Sequence, residues 1–431
     1  MGGPWMVRKI IHLDLDAFFC AVEALRAPSL HGKAFAVGGR PEYRGVIASC
    51  SYPARRFGVR SAMPTARALL LCPDLIVISG HHTDYSDHSR RVMSHLYNFA
   101  HLVEQISIDE AFIDISDLRA PAEQIARELQ STIRQDLQLP CSLGVATNKL
   151  VAKIANNIGK SSARAEGPPM AINVVPPGEE RAFLAPLPIT ELWGVGPKTA
   201  ESLTQLSIRT IGDLADWPAE DLVRRFGKHG TDLARRARGI DDRPVAAAGP
   251  GMKSISHETT FAQDVTDEAE LKRTLYRLSE NVGRRLRRAG LSASTIKIKL
   301  RWSDFTTLTR QVTLPESTDQ DSVIYETAQQ LLMDNWRSPR PVRLIGVGTS
   351  NLAEPAAQLR LWDTSNERGQ KLQQTLDSLR DRFGRNAIQR AFVMKPPSDA
   401  ARPSDMGVSR SGESPEAGTQ RGETDEGQDG T

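Results

Sequence analysis

Two short segments that are apolar except for a few polar residues constrain this chain more than any other feature. Residues 10–19 read Ile-Ile-His-Leu-Asp-Leu-Asp-Ala-Phe-Phe, and residues 105–116 read Gln-Ile-Ser-Ile-Asp-Glu-Ala-Phe-Ile-Asp-Ile-Ser. Both are predicted to be buried strands, and they carry Asp14, Asp109 and Glu110. Carboxylates are costly to bury unless they meet a cation. Two such strands side by side therefore predict a divalent-metal site and chemistry at phosphate.

The second segment predicts a hairpin. A regular strand would send the neighbours Asp109 and Glu110 to opposite faces, so they converge on one ion only at a bend, a bulge or a hairpin tip. The flanks Val103–Ile108 and Ala111–Ile115 are both strand-like, which favours the hairpin. Three carboxylates suit two ions about 4 Å apart. The alternative is that these acids end strands or turns and face water.

Length and composition indicate a soluble protein of several domains. The chain has 431 residues, of which 39% are hydrophobic and 25% charged, and its net charge is +3. No apolar run is long enough to span a membrane. The four cysteines are scattered without Cys-x-x-Cys spacing, which fits a reducing cytosol, so we expect a cytoplasmic protein. Residues 396–431 hold eight acids against three arginines and few large apolar side chains, so this tail is predicted to be disordered.

Residues 6–172 alternate strand and helix patterns, which favours an α+β layer. Apolar residues four apart predict a helix over Gln124–Leu137. A further helix is predicted over Lys149–Asn157, with Thr147 or Asn148 as its N-cap.

A helical stretch follows to about residue 242. It contains Gly194 and Gly196 in a Gly-x-Gly-x-x-x-Ala pattern typical of a helix-hairpin-helix. Such glycines expose backbone N–H groups that suit a DNA phosphate, and Lys198 adds a charge. A plain tight turn is the alternative.

A basic strand is predicted near the C-terminal third. Within Thr295–Trp302, apolar residues alternate with Lys297, Lys299 and Arg301, and Arg343 lies on a later predicted strand. A cationic sheet face suits the DNA backbone. An ordinary solvated face is the alternative.

Several segments, taken in order, resemble the motifs of the Y-family DNA polymerases, most closely the DNA polymerase IV type, from about Arg8 to Met394. The segments are His-Leu-Asp-Leu-Asp-Ala-Phe-Phe (12–19), Ser-Tyr-Pro-Ala-Arg-Arg-Phe-Gly-Val (51–59), Ser-Ile-Asp-Glu-Ala-Phe (107–112), Gly-Val-Ala-Thr-Asn-Lys (144–149), Gly-Val-Gly-Pro-Lys-Thr-Ala (194–200) and Lys-Ser-Ile-Ser-His-Glu-Thr-Thr-Phe (253–261).

The resemblance implies an α+β multidomain fold, a right-hand polymerase with a helical helix-hairpin-helix thumb and an α/β little finger. The implied boundaries are palm 6–18 and 81–172, fingers 19–80, thumb 173–242, linker 243–253, little finger 254–395 and an acidic tail 396–431.

The resemblance further implies template-directed DNA synthesis from dNTPs on primer-template DNA, by a monomer. The implied reaction is low-fidelity translesion synthesis without proofreading, in DNA damage tolerance. Two Mg²⁺ ions would be held by Asp14, Asp109, Glu110 and the backbone carbonyl of Leu15. Asp16 would either support these ligands or serve the fold.

The resemblance assigns Phe19 as the steric gate that excludes ribonucleotides. The alternative is that Phe18 and Phe19 are both core residues. Tyr52 and Arg55 match the pair that contacts the incoming triphosphate.

Lys160 lies where the family has a phosphate-contacting lysine. The local sequence Gly-Lys-Ser-Ser-Ala-Arg departs from the family pattern, so Arg164 is an alternative for this role. Lys253 joins the residues assigned to DNA.

Residues 358–362 read Gln-Leu-Arg-Leu-Trp and resemble a sliding-clamp-binding peptide, with Gln358, Leu361 and Trp362 as anchors. A core strand of the little finger is the alternative here.

Two other function classes compete. A nucleotide cyclase shares a palm-like fold with paired acids, but has no need of a helix-hairpin-helix or a cationic sheet. A non-catalytic DNA-binding scaffold would leave the buried acids unexplained.

Overall fold

The structure is a computed structural model that describes residues 7–163, 167–247, 251–354, 364–384 and 387–388. The chain forms two compact units, 1–363 and 364–431. The described part of the second unit contains one long helix, Thr364–Phe383. Within these ranges no helix is long and apolar enough to cross a membrane.

The helices and strands follow the alternation that the sequence predicts. The strands of the described ranges are β1 Ile10–Leu15, β2 Phe35–Gly38, β3 Ile47–Cys50, β4 Ile76–Ile78, β5 Leu102–Gln105, β6 Glu110–Asp114, β7 Cys141–Ala146, β8 Ile172–Val174, β9 Ser254–Val265, β10 Ser292–Trp302, β11 Thr307–Thr318 and β12 Val342–Ala353. The helices are α1 Phe18–Arg26, α2 Tyr52–Arg56, α3 Thr65–Leu71, α4 His82–Phe99, α5 Ala122–Leu137, α6 Lys149–Ser162, α7 Glu180–Leu184, α8 Pro197–Thr204, α9 Ile211–Asp216, α10 Ala219–Phe226, α11 Lys228–Ala237, α12 Glu268–Arg288, α13 Asp321–Asn335 and α14 Thr364–Phe383.

The first sheet has the strand order β5-β6-β1-β7-β8, with β1 at its centre. All neighbours are antiparallel except β7 and β8, which are parallel. Helices α4 and α5 contribute to a core that includes Leu13 and Ile113, whereas α6 packs with Ile10 and Phe112. These two cores cover both faces of β1 and β6. Side chains alternate between the faces along a strand, so residues of both alternating sets are buried, which explains why these segments are so apolar.

The second large sheet has the order β11-β10-β12-β9 and is antiparallel throughout. Helices α12 and α13 cover one face, where Ile296, Ile298 and Leu300 are fully buried. The predicted alternation over Thr295–Trp302 is confirmed, because the basic residues between these positions are only partly buried.

A small sheet has the strand order β3-β2-β4 and packs with α2 and α3. Its strands lie between β1 and β5 in the sequence. Helices α7 to α11 follow the first sheet and share the α6 core. Arg44, which lies shortly before β3, forms an ion pair with Asp264 of β9, 220 residues later in the chain.

Two helix predictions are confirmed and one strand prediction is wrong in part. Gln124–Leu137 lies within α5, and the Asn148 side chain caps α6 by accepting from the N–H of Val151. The segment 10–19 does not stay extended, because β1 ends at Leu15 and α1 begins at Phe18. Ala17 between them adopts a left-handed conformation with φ of 47°. This turn converts a strand into a helix within two residues, which the apolar pattern alone does not reveal.

Candidate active site

The predicted hairpin and its pairing with the first segment are confirmed. Strands β5 and β6 are antiparallel, and β6 pairs with β1 so that Glu110 lies opposite Asp14. The Leu15 N–H donates to the carbonyl of Asp109 at 3.0 Å. At the hairpin tip, the Ser107 hydroxyl accepts from the N–H of Glu110 at 3.1 Å and donates to Asp109 Oδ1 at 2.6 Å. The backbone thus brings the three predicted acids to the same end of the neighbouring strands β1 and β6.

Two lysines of α6 meet these acids. Lys160 Nζ donates to Asp14 Oδ1 at 2.5 Å and lies 3.2 Å from Asp16 Oδ1. Lys153 Nζ donates to Glu110 Oε2 at 2.6 Å. Residues seven apart lie on the same helix face, so one face of α6 supplies both cations.

Asp16 serves the fold. Its side chain is fully buried, and its oxygens accept from Ser142 Oγ at 2.9 Å and from the N–H of Met170 at 3.1 Å. A buried carboxylate is tolerated when hydrogen bonds and a cation satisfy it, which Lys160 completes. Of the two roles left open for Asp16, the observed contacts favour the structural one.

His12 lies beside Glu110 and Lys153. Its Nδ1 is 2.9 Å from Asn156 Nδ2, and its Nε2 is 3.4 Å from Lys153 Nζ and 3.7 Å from Glu110 Oε2. Burial lowers the pKa of His12 to about 4, so the ring is neutral at pH 7. The His12 contact and the Lys153 ammonium hold the pKa of Glu110 well below its usual range. Glu110 is therefore ionised.

The pKa of Asp14 is raised, mainly by burial. Burial raises its pKa to about 6, and the charges of Glu110 and Asp109 act in the same direction while Lys160 opposes them. Burial alone would lower the pKa of Lys160, but Asp14 and Asp16 outweigh it and raise that pKa. Such a site favours additional positive charge.

The donor set suits a hard divalent cation, although the carboxylates do not now form a cluster. In the part of the chain that the structure describes, no three His, Cys, Asp or Glu side chains are grouped as metal ligands. The reason is visible in the contacts, because Asp14 and Glu110 each face a lysine and Asp109 faces Ser107. Carboxylate oxygens on neighbouring strands with surplus negative charge fit Mg²⁺, which prefers oxygen ligands.

A cleft of about 790 Å³ adjoins these acids. Its lining includes seven of the eight residues predicted to bind the metal ions and the nucleotide or to form the steric gate: Asp14, Leu15, Asp109, Phe19, Tyr52, Arg55 and Lys160. Glu110 is absent from this lining. The small sheet and the first sheet therefore contribute to one site.

Tyr52 and Arg55 lie on the short helix α2, which Ser51 caps. The Arg55 guanidinium lies over the Tyr52 ring, 4.6 Å from its centroid, and its Nε donates to the carbonyl of Cys50 at 3.2 Å. Burial raises the pKa of Tyr52, so this hydroxyl stays protonated. A permanently charged guanidinium fixed at the cleft is suited to bind phosphate.

Phe18 and Phe19 have different environments. Phe18 is buried in the core, whereas Phe19 is half-buried and stacks on Tyr85 at 4.4 Å between ring centroids. Both rings line the cleft. Phe18 is therefore a core residue, whereas Phe19 is only partly buried and lines the cleft.

Sequence reasoning missed Lys153, Asn156 and His12 as neighbours of the acids, and Arg60 as a cleft residue. One sequence signal was available: polar residues three or four apart mark one face of α6, namely Lys149, Lys153, Asn156 and Lys160.

The predicted helix-hairpin-helix glycines lie just before α8. Gly194 has φ of 99°, and a Cβ there would come within 2.4 Å of Arg236 Nη1. Gly196 is the N-cap of α8, and Lys198 in the first turn is exposed.

Three basic residues of the second large sheet share its open face. Lys297, Lys299 and Arg301 project from β10, but Lys299 Nζ already donates to Glu258 on β9 at 2.8 Å. The Arg343 guanidinium lies 4.3 Å from the Phe305 ring centroid.

Two further assignments have different outcomes. Lys253 is exposed just before β9. The residues predicted to bind a sliding clamp, Gln358, Leu361 and Trp362, lie outside the described residues, as does Arg164.

Comparison with known proteins gives a consistent result. The impB/mucB/samB family matches residues 13–157, its C-terminal domain matches 252–361, and the IMS family HHH motif matches 177–208. DNA polymerase IV of Listeria monocytogenes serovar 1/2a is 41% identical over 348 residues, which are 80% of this chain and 95% of that protein. DNA polymerase IV of Desulfatibacillum aliphaticivorans is 41% identical over 392 residues, 89% of this chain and 96% of that one. The solved Y-family DNA polymerase chimera Dbh-Dpo4(243-245)-Dbh matches with a TM-score of 0.70 and 25% identity, over 80% of this chain and 98% of that chain.

Proposed function

Because this chain belongs to the Y-family DNA polymerases, in the DNA polymerase IV group of the impB/mucB/samB family, we propose that it extends primers across damaged templates by a two-metal mechanism. It is a DNA-directed DNA polymerase with the palm, fingers, thumb and little finger of that family. The proposed boundaries are palm 6–18 and 81–172, fingers 19–80, thumb 173–242, linker 243–253 and little finger 254–395, with 396–431 as a tail.

The observation that carries the mechanism is the pairing of Asp14 with Glu110 on adjacent strands, with Asp109 at the hairpin tip beside the cleft. Asp14, Asp109, Glu110 and the carbonyl of Leu15 would hold two Mg²⁺ ions. When bound, the ions activate the primer 3′-hydroxyl and stabilise the departing pyrophosphate. His12 and Lys153 lower the pKa of Glu110 and keep it ionised, and Lys153 holds its carboxylate by a hydrogen bond.

Lys160, Arg55 and Tyr52 supply the triphosphate site. Lys160 shares the cleft with Asp14, so the ammonium that now neutralises this acid lies where an incoming phosphate can take it over. Arg55 offers a planar guanidinium that can bind two phosphate oxygens at once. These residues hold the nucleotide, and Phe19 closes the space beneath its sugar.

The duplex would follow two surfaces. The thumb contributes Gly194, Gly196 and Lys198, which are exposed at the start of α8. The little finger contributes Lys253, Lys297, Lys299, Arg301 and Arg343. These contacts are sequence-independent, as copying any template requires.

The finer features follow from the family and await their own tests. They are low fidelity, the lack of proofreading, a monomeric state, a cytoplasmic location and binding of a sliding clamp through Gln358, Leu361 and Trp362. For the clamp, replacing Leu361 and Trp362 by Ala should reduce clamp-stimulated synthesis only, and loss of basal synthesis would contradict the assignment.

Primer extension tests the proposal. Purified full-length chain, a 5′-labelled primer-template and dNTPs should give extended products with Mg²⁺ and none with EDTA. The same reactions are assayed for cyclic nucleotide and for DNA retardation on a native gel. Cyclic nucleotide would indicate a cyclase, and retardation without extension would indicate a scaffold. Either result would overturn the proposal.

A further inference from the structure

Phe19 and Glu23 lie four residues apart on α1 and so share one face of the helix. Tyr85 of α4 contacts both. Its ring stacks on Phe19 with an interplanar angle of 18°, and its hydroxyl donates to Glu23 Oε1. One side chain therefore ties the cleft-lining ring to a buried carboxylate.

Glu23 is 3% exposed, which is unusual for a carboxylate and calls for strong partners. His81 Nδ1 lies 2.8 Å from the same Oε1, and Arg26 approaches the other oxygen at 3.6 Å. Burial raises the pKa of Glu23, but the hydrogen bonds from Tyr85 and His81 outweigh it and lower that pKa. An ionised carboxylate only accepts, so the Tyr85 hydroxyl has a fixed donor direction.

Tyr85 is also held tightly along its edges. The side chain is fully buried, and a Cβ added at Gly80 would come within 3.3 Å of Tyr85 Cε2 and Oη. His82 packs edge-on against both Phe19 and Tyr85, at 6.2 and 5.6 Å between ring centroids. The surface on which Phe19 rests is therefore rigid, and Phe19 itself lines the cleft.

We propose that Tyr85, anchored by Glu23, is a positioning residue for sugar selection: it fixes the height of the Phe19 ring in the cleft and so sets how strongly a 2′-hydroxyl is excluded. The inference rests on the proposed role of Phe19. A ring excludes a hydroxyl only if it resists being pushed aside by about the radius of an oxygen atom, and close-packed aromatic contacts supply that resistance. Neither Tyr85 nor Glu23 touches substrate in this scheme.

The test measures kcat/KM for single insertions of dCTP and CTP opposite dG, with the ratio of the two as the readout. Tyr85→Leu removes the stacked ring, and the ratio is expected to fall about tenfold through faster CTP insertion. Tyr85→Phe keeps the ring but loses the donor, and Glu23→Gln weakens its acceptor, so each should lower the ratio about threefold.

Tyr97→Phe is the matched control, because Tyr97 lies on the same helix and is half exposed. It should leave the ratio unchanged. Faster CTP insertion is a gain that partial unfolding cannot produce, so a merely structural role would slow both substrates together. Tyr85→Phe and Glu23→Gln carry the test if Tyr85→Leu fails to fold.

Phe19→Val separates the two hypotheses. If this variant admits CTP while the Tyr85 and Glu23 variants keep the original ratio, the positioning inference is overturned and the gate stands. If Phe19→Val leaves the ratio unchanged, the gate itself is wrong and the inference falls with it. Equal slowing of dCTP and CTP in the Tyr85 variants would also overturn it.

Discussion

The palm and the little finger each place charged side chains on a largely antiparallel sheet, but they satisfy those charges in opposite ways. In the palm, Asp14 and Glu110 are mostly buried, and each is met by a lysine of α6. In the little finger, basic residues project from an open face, and among the residues that the structure describes Lys299 is the member of the β10 row with a carboxylate partner.

The difference teaches where single residues matter. A buried charge must be matched inside the protein before substrate arrives, so removing one member leaves another unsatisfied. A half-exposed charge is already hydrated and contributes little by itself. We therefore expect large individual effects in the palm and small, additive effects in the little finger.

Asp109→Ala should give the largest effect. Primer extension is expected to fall by at least about 10³-fold, because the proposed metal site would lose one of its three acids. DNA affinity, measured by fluorescence anisotropy, should change little. Asp117→Ala, an exposed aspartate shortly after β6, is the control. Substantial extension by Asp109→Ala would show that this residue is not part of the site. It would also contradict the expectation that single charges have large effects in the palm.

Lys160→Ala should come next. The KM for dNTP is expected to rise about tenfold or more, because one charge-assisted phosphate contact is lost. Asp14 and Asp16 also lose their shared cation, so a thermal melt accompanies the kinetics. Lys160→Arg should restore part of the affinity. A fall in stability with the KM unchanged would assign Lys160 to the fold alone.

Neutralising Lys297, Lys299 and Arg301 together should weaken DNA binding equally on all sequences. If Lys297 and Arg301 each contact one phosphate while Lys299 stays paired with Glu258, the slope of log K against log salt should decrease in magnitude by about 1.8, or 0.9 per contact. Arg127→Ala with Arg134→Ala, on the exposed surface of α5, provides the control. An unchanged salt slope would mean that these side chains do not touch the backbone.

Glu258→Gln should give the smallest effect and the opposite sign. The exchange releases Lys299 from its ion pair, so affinity is expected to rise a fewfold, and the salt slope should steepen by up to about one contact. Isothermal titration at several salt concentrations measures both. Weaker binding by Glu258→Gln would show instead that the ion pair organises the DNA-binding face.

Local patterns explain what could be predicted from the sequence. The acids within apolar segments, the alternation along β10 and the Asn148 cap all depend on neighbours within a few residues, and the structure contains each of them. The partner of an acid is a different matter. Lys160 lies 146 residues from Asp14 in the chain, so only the folded chain reveals that contact.

Residues of the same charge can also have different roles. Arg287 lies in the basic last turn of α12, yet it forms an ion pair with the buried Asp321 of α13. The left-handed turn at Ala17 was hidden for a similar reason. Alanine carries no turn signal, and the conformation follows from how β1 joins α1 rather than from the residue itself.

Anomalous diffraction from a crystal of the complete chain with primer-template, an incoming nucleotide and Mn²⁺ tests the central claim most directly. The account predicts two peaks about 3.5 to 4 Å apart, bounded by Asp14, Asp109 and Glu110, with Lys160 turned to the triphosphate. Peaks elsewhere, or carboxylates that keep their lysine partners in the presence of nucleotide and metal, would contradict it.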